Sequence, residues 1–382
     1  MHDYLNQYGG AERVLEALLE LFPDAHLYTL FYDEKATGGR FRRFWKTTSF
    51  LDASVVARHH RLFIPLFPRA MKSLHLKERY DVVISDSAGF AKGIDTHGAL
   101  HISYCHTPLR YAWETKKYVR QKFPRMGALV SAVVSPVAAY LRRWDKKAAA
   151  KPNILIANSS FIAEKIERYY GRQAEILYPP VDTERFRPEL AQRRRGERYY
   201  LAVGRLLHYK RFDLIIDVFR ALQRTVKIVG SGPEEKALRR RAKGMPNIEF
   251  ISFLHNEEEL RSLYANSEAL LFPHVEDFGL VAAEALSCGT PVIAYRRGGA
   301  CEIVEQGVTG SLFDEQSKEG FLAAINAFEN QSFDRTLIRE RALRFSKEHF
   351  TATFSAIVAD VVALRHGERL AIPRIARYPQ AV

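Results

Sequence analysis

Short apolar runs alternate with amphipathic helical stretches along almost the whole chain. In the first half the pattern predicts strands at His26–Leu30, Tyr80–Ser85, Leu100–Cys105, Asn153–Ala157 and Glu175–Tyr178. Helical periodicity lies between most of them, as at Ala11–Leu21 and Phe161–Tyr169. In the second half the predicted strands are Tyr199–Val203, Val226–Val229, Ile248–Phe253, Ala269–Phe272, Pro291–Ala294 and Ser311–Phe313. Helices are expected at Phe212–Leu222, Pro233–Ala242, Glu257–Asn266, Leu280–Cys288 and, last, Thr353–Leu364. Strand and helix in turn imply an α/β protein of two doubly wound, parallel-sheet domains. The expected division is 1–180, rejoined by the helix at 353–364, then 181–350, with a tail at 370–382. Pro179 and Pro180 mark the boundary, because proline stiffens the chain and ends the strand before it.

One element is odd. A phosphate-binding α/β domain has a strand feeding its first glycine loop, yet only eight residues precede Gly9-Gly10. The first strand is therefore expected to be missing or very short, which suggests a shortened chain or a start codon placed too late.

Length, 382 residues, suits two domains, and 47% hydrophobic with 26% charged residues describes a folded, non-disordered chain. Cys105, Cys288 and Cys301 lack metal-ligand spacing and cannot all pair, which points to a reducing compartment. No signal peptide is apparent, and the longest apolar span, Gly127–Leu141, contains Pro136 and is too short for a membrane helix. The net charge is +13, of which residues 1–180 carry +10 (27 Lys/Arg against 17 Asp/Glu). An anionic partner for the first half follows: phosphate, nucleic acid or an acidic membrane surface. Three stretches there, Arg40–Lys46, Arg58–Lys72 and Tyr140–Lys147, interleave cations with aromatic and aliphatic residues, as surfaces resting on anionic lipid do.

Candidate chemistry is densest in His274–Ala294. A strand runs into a loop there, and a helix is expected to start near Phe278. The N–H groups of Phe278, Gly279 and Leu280 would then form an anion site, and Gly279 admits a phosphate without a Cβ in the way. Glu276 in the loop and Glu284 two turns into the helix would line one crevice, as acceptors for sugar or ribose hydroxyls. Arg205 and Lys210, beyond Gly204 at a strand end, can neutralise a diphosphate leaving group. Gly9 and Gly10, before a helix, offer further amides, although such a pair is as often a turn. His106 closes an apolar strand at the position where open α/β sheets bind ligands.

Several segments together resemble the retaining GT-B glycosyltransferases of the glycosyltransferase-four type. They are GGAE at 9–12, HTPLRYAW at 106–113, ANSSF at 157–161, YPPVD at 178–182, GRLLHYK at 204–210 and GSGPE at 230–234. The strongest is EDFGLVAAEALSCGTPVIA at 276–294, followed by GG at 298–299 and G-x-x-G at 307–310. The resemblance implies two Rossmann-like domains facing across a cleft, the first binding acceptor and the second the nucleotide-sugar donor. It also implies roles. Arg205 and Lys210 hold the diphosphate with the amides of Gly9, Gly10 and 278–280. Glu284 binds ribose, Glu276 the donor sugar, and His106 lies near the transferred sugar. The nucleobase sits near Gly230–Pro233 and Phe253-Leu254. The last helix returns to the first domain, and no metal is expected.

CHTPLRYAW is similar to bacterial mannosyltransferases of surface-polysaccharide and lipopolysaccharide assembly, which implies GDP-mannose as donor; a UDP-sugar is the alternative. The implied acceptor is a saccharide or a polyprenyl-diphosphate-linked saccharide, handled in the cytoplasm at the inner face of the cytoplasmic membrane. The rivals from other classes are a nucleic-acid-binding protein, disfavoured by the nearly neutral second half, and a catalytically silent scaffold.

Overall fold

The computed structural model describes residues 1–115, 127–188, 198–251, 254 and 256–365. The chain divides into two compact units, Met1–Tyr178 together with the chain from Phe350 onward, and Pro179–His349.

The first unit is built on parallel strands. β1 (Leu27–Thr29) pairs with β2 (Lys46–Thr48), and β3 (Val82–Ser87), β4 (Leu100–Cys105), β5 (Ile154–Ala157) and β6 (Glu175–Ile176) follow in spatial order. The two sets are joined by the chain start. His2 bridges in parallel to Thr29 on one side and to Asp86 on the other. The His2 amide donates to the Tyr28 carbonyl (2.9 Å), and the Asp86 amide donates to the Met1 carbonyl (2.9 Å). The first strand is thus present and very short, a few residues around His2. From it the chain winds outward to β1 and β2, then returns to the other side at β3. That reversal makes a topological switch point between His2 and Asp86, where open parallel sheets place their ligands.

Helix Gly10–Leu21 covers one face through Val14 and Leu18, which pack with Ile102, Tyr104, Ile156 and Leu177. The same cluster takes in Phe350, Phe354, Ile357 and Val361 from the last helix, Lys347–Arg365. That helix thereby adds its apolar side to the first sheet, starting six residues earlier than the periodicity suggests. Gly127–Leu141 is the opening of a longer helix, Gly127–Ala149, with Pro136 inside. No helix among the described residues is long and apolar enough to cross a membrane.

The second unit has one six-stranded parallel sheet in the order β12-β11-β10-β7-β8-β9. These are β7 (Tyr199–Val203), β8 (Thr225–Val229), β9 (Ile248–Ile251), β10 (Leu270–Phe272), β11 (Val292–Tyr295) and β12 (Gly310–Phe313). Its central strands are apolar on both faces because helices cover both sides. Helix Phe212–Phe219 buries Ile215, Ile216, Val218 and Phe219 against Val226, Ile228 and Ile293, and helix Lys318–Glu329 adds Phe321 and Ile325. The strand order reverses between β7 and β10, so the second switch point lies there.

Sequence and structure part in a few places. β2 is absent from the expected strands because Lys-Thr-Thr is half-exposed and carries no apolar run. Helix Phe212–Phe219 ends three residues before the expected Leu222. Phe253, expected beside the nucleobase, and the tail at 370–382 lie outside the described residues; Leu254 is half-buried. The three cysteines are free thiols, Cys105 and Cys288 buried and Cys301 exposed.

Candidate functional site

Each unit gathers charged groups at its own switch point. In the second unit, Lys210 ends a short 3-10 turn, His208–Lys210, beyond β7, and Glu276 lies in the loop beyond β10. The two form an ion pair, Lys210 Nζ to Glu276 Oε1, with side chains 9% and 19% exposed. Gly204 turns the chain beyond β7 at φ +147°, a conformation that favours glycine, and packs against the ammonium: a Cβ there would meet Lys210 Nζ at 3.6 Å, an ordinary contact. His274 Nε2 lies 3.4 Å from the same Glu276 oxygen. The His274 ring is buried, tilted over Phe272 with centroids 4.1 Å apart. Burial first, and then the neighbouring Lys210 charge, push its pKa well below the ordinary histidine range, so the ring is neutral.

The loop carrying Glu276 is clamped by backbone. The Gly299 amide donates to the Glu276 carbonyl (2.9 Å). A Cβ on Gly298 would lie 2.4 Å from that carbonyl oxygen, and one on Gly299 would lie 2.2 Å from the Phe278 oxygen. Such approaches are open only to glycine. The loops leaving β7 and β8 are pressed together in the same way, since a Cβ on Gly230 would lie 2.0 Å from the Gly204 oxygen.

Two expectations for this region need correction. The helix starts at Leu280, as in the expected span Leu280–Cys288, and not near Phe278: Gly279 is its N-cap with φ +120°, a turn only glycine makes cheaply, so Phe278 belongs to the loop. Phe278 instead buries its ring edge-on against Phe345, centroids 5.6 Å apart. Glu284 is one turn into the helix rather than two. It is 2% exposed and accepts a hydrogen bond from the Tyr264 hydroxyl (3.0 Å). Arg205 stands exposed on its loop, and among the described residues its guanidinium has no carboxylate partner. Beside Gly230–Pro233 opens a groove of about 550 Å³, lined by Gly232, Pro233, Lys236, Arg239, Arg240 and Lys243 among others.

The first unit assembles its groups from further apart in sequence. His106 follows β4. Its amide donates to the Ser87 carbonyl (2.9 Å) and its carbonyl accepts from Asn158 (3.2 Å), so the ends of β3, β4 and β5 fix its backbone. Its Nε2 lies 2.6 Å from Asp86 Oδ1, and the other Asp86 oxygen lies 2.8 Å from His2 Nδ1. Burial opposes ionisation of Asp86, yet His106 and His2 outweigh it and hold the carboxyl down to about 2. Burial likewise opposes a charged His2, yet Asp86 and Glu12 outweigh it and push the ring up to about 10.

Gly9 also departs from expectation. Its amide donates to Glu12 Oε2 (2.8 Å), so this donor caps its own helix; the Gly10 position, first in the helix, is exposed. Sequence reasoning missed His2, Glu12, Asp86, His274 and Tyr264 as members of these clusters. Asp86 and His274 carried a faint signal, being polar residues at the carboxyl ends of apolar strands.

Comparison with known proteins agrees with this architecture. The profile of Glycosyltransferase Family 4 matches residues 8–185, and that of Glycosyl transferases group 1 matches residues 183–347. The chain belongs to the GT-B glycosyltransferases, with one of these domains in each half. Over 203 residues it is 32% identical to the GDP-mannose-dependent alpha-(1-6)-phosphatidylinositol monomannoside mannosyltransferase of Mycolicibacterium smegmatis, covering 44% of this chain and 53% of that protein. Over 239 residues it is 28% identical to a glycogen synthase of Mycobacterium tuberculosis, covering 58% and 56%. The chain spans about half the length of the curated relatives it matches. The crystal structure of Anabaena Alr3699/HepE in complex with UDP shares the fold with a TM-score of 0.69, at 19% identity, over 94% of this chain and 99% of that one.

Proposed function

We propose that the protein transfers a sugar from a nucleoside diphosphate to a saccharide or lipid-linked saccharide, with retention at the anomeric carbon and GDP-mannose as donor. The observation that carries this reading is the Lys210–Glu276 pair at the switch point of the second unit, beside a histidine held neutral. With no donor bound, each charge neutralises the other. A diphosphate draws Lys210, assisted by Arg205, and releases Glu276 to accept hydrogen bonds from sugar hydroxyls. Glu284, one turn into the helix, is the acceptor for ribose hydroxyls, and the stretch from Gly230 into the adjoining basic groove suits the base. The bond from the anomeric carbon to the phosphate oxygen breaks as the acceptor oxygen adds on the same face. The departing phosphate oxygen takes the acceptor's proton, and Lys210 and Arg205 stabilise the charge that develops there.

The mycobacterial mannosyltransferase favours GDP-mannose. A UDP-sugar is the second reading, favoured by the UDP held in the Anabaena structure. A sugar-nucleotide panel assayed for slow hydrolysis, with thermal shift against GDP and UDP, separates them: stabilisation by UDP alone sinks the mannose reading. Lys210→Ala is expected to lower turnover about 10²- to 10³-fold with the fold intact, and unchanged turnover would refute the role given to this pair.

The same reading includes a lipid surface for the first unit. Ala53–Lys77 contains no acidic residue. Val55, Leu62 and Leu66 stand 54%, 78% and 44% exposed there, among exposed Arg58, Arg61, Arg69 and Lys72. The other two basic stretches are partly core: Phe41, Phe44 and Leu141 are buried, whereas Trp45 and Tyr140 are exposed. Cosedimentation with vesicles that does not respond to anionic lipid would remove this part of the proposal.

A further inference from the structure

At the first unit's switch point four side chains from distant parts of the sequence are joined end to end. Glu12 Oε1 lies 3.8 Å from His2 Nε2, His2 Nδ1 lies 2.8 Å from Asp86 Oδ2, and Asp86 Oδ1 lies 2.6 Å from His106 Nε2. Three members are shut away, with side chains 4%, 3% and 1% exposed for Glu12, His2 and Asp86; His106, at 12%, is the one that reaches the surface. Burying a row of ionisable groups is costly, and an apolar core of the same volume avoids the cost. A buried row that ends on one surface histidine resembles a support for that ring.

We infer that Asp86 and His2 are positioning residues for His106: Asp86 accepts the His106 Nε2–H and leaves Nδ1 as a bare acceptor, while protonated His2 holds Asp86 in place. Each anchor is tied to the sheet, His2 by its bridges to Thr29 and Asp86, and His106 by the hydrogen bond its amide donates to the Ser87 carbonyl. A carboxylate on one imidazole nitrogen fixes the tautomer and the rotation of the ring. The His2 charge keeps Asp86 ionised and lowers its appetite for the His106 proton, so the proton stays on Nε2. The bare Nδ1 is then suited to accept a hydrogen bond from a substrate hydroxyl. The groups facing His2 and Asp86 are Glu12 on helix Gly10–Leu21, Tyr104 and His106 on and after β4, and the Met1 amine and Asp3 on the first strand itself.

The arrangement around His106 stands on geometry; its use in turnover rests on the transferase reading above, and the test has one arm for each. In the full chain with ¹⁵N-labelled histidine, long-range ¹H–¹⁵N spectra are expected to show both His2 nitrogens protonated up to about pH 8, with neutral His106 protonated on Nε2. In Asp86→Asn, His2 returns towards its ordinary titration range and His106 loses its single tautomer. A neutral His2 at about pH 8, or a His106 proton on Nδ1, overturns the proposal whether or not sugar is transferred.

In turnover, Asp86→Asn is expected to lower kcat about a hundredfold with the donor KM unchanged. His2→Asn keeps an N–H where Nδ1 stood. It should retain most of kcat and displace the alkaline limb of the pH profile, whereas His2→Leu should fall as far as Asp86→Asn. A support for folding alone would lower the melting midpoint and leave the pH limb and the kcat-to-KM split unmoved, which overturns the positioning role. If Asp86→Asn does not fold, the native spectra and the His2 variants decide. If the native chain turns over no sugar nucleotide, the transferase reading fails and the spectra alone decide the network.

Discussion

The two switch points solve the same problem with different materials. In the second unit Lys210 and Glu276 are brought together by backbone: Gly204 turns the chain at φ +147°, Gly230 presses one strand exit onto another, and Gly298-Gly299 clamp the Glu276 loop. In the first unit the side chains of His2, Asp86 and His106 hold one another, His2 and His106 each contacting one oxygen of Asp86. In the same unit a second buried pair, Lys92 with Asp145 at 2.6 Å, repeats the theme, and Trp113 and Tyr170 donate to the same aspartate. The backbone clamps fail on added volume, and the side-chain network fails on a lost charge or hydrogen bond. The histidines differ accordingly. His2 is kept charged by its acids, and His274 is kept neutral by burial.

This contrast can be broken by experiment. All three tryptophans, Trp45, Trp113 and Trp144, lie in the first unit, so their fluorescence follows that unit while circular dichroism follows both. The largest effect is expected from Lys92→Ala, which strands Asp145 at 0% exposure without its cation. It should cost about 3–5 kcal/mol of stability in urea unfolding followed by tryptophan fluorescence; a loss under about 1 kcal/mol would show that Trp113 and Tyr170 suffice. Gly299→Ala comes next. Its methyl has no room beside the Phe278 oxygen, and a cost of about 1–3 kcal/mol is expected in the dichroism transition of the second unit. A shift in the tryptophan midpoint instead would show that the Gly299 clamp does not act within the second unit alone.

The smallest effect sharpens the comparison, because pH acts on the two units with opposite sign. His2 titrates higher folded than unfolded, so its contribution is complete below about 6.5 and lost as pH rises through about 10. His274 titrates lower folded than unfolded, so its contribution is present above about 6.5 and lost as pH falls below it. The tryptophan midpoint should therefore decline in alkali, and the second unit's dichroism midpoint in mild acid. His2→Asn should flatten the first slope and His274→Phe the second. Parallel slopes in both probes would remove the contrast.

Much of the fold was legible because it follows from local pattern. β7, with Tyr-Tyr-Leu-Ala-Val, and β4, with Leu-His-Ile-Ser-Tyr-Cys, fall where the apolar runs place them, as buried strands of parallel sheets do. Helix Glu257–Asn266 is bounded as expected, capped by Asn256 accepting from the Glu258 amide. Boundaries shifted elsewhere, as at helix Phe212–Phe219, which ends three residues before the expected Leu222.

The sequence by itself determined the alternation of strand and helix, the glycines at strand exits and the cations and carboxylates beside them, because each is a local property within a few residues. Only the tertiary structure decided which of these meet. His2 and Asp86 are 84 residues apart, and Lys210 and Glu276 are 66 apart. Strand order brings each pair to a switch point, and strand order is set by packing over the whole sheet rather than by any neighbouring residue. The same holds for charge state. His2 and His274 are the same residue type in sequence, and their opposite titration follows from what the fold buries beside them.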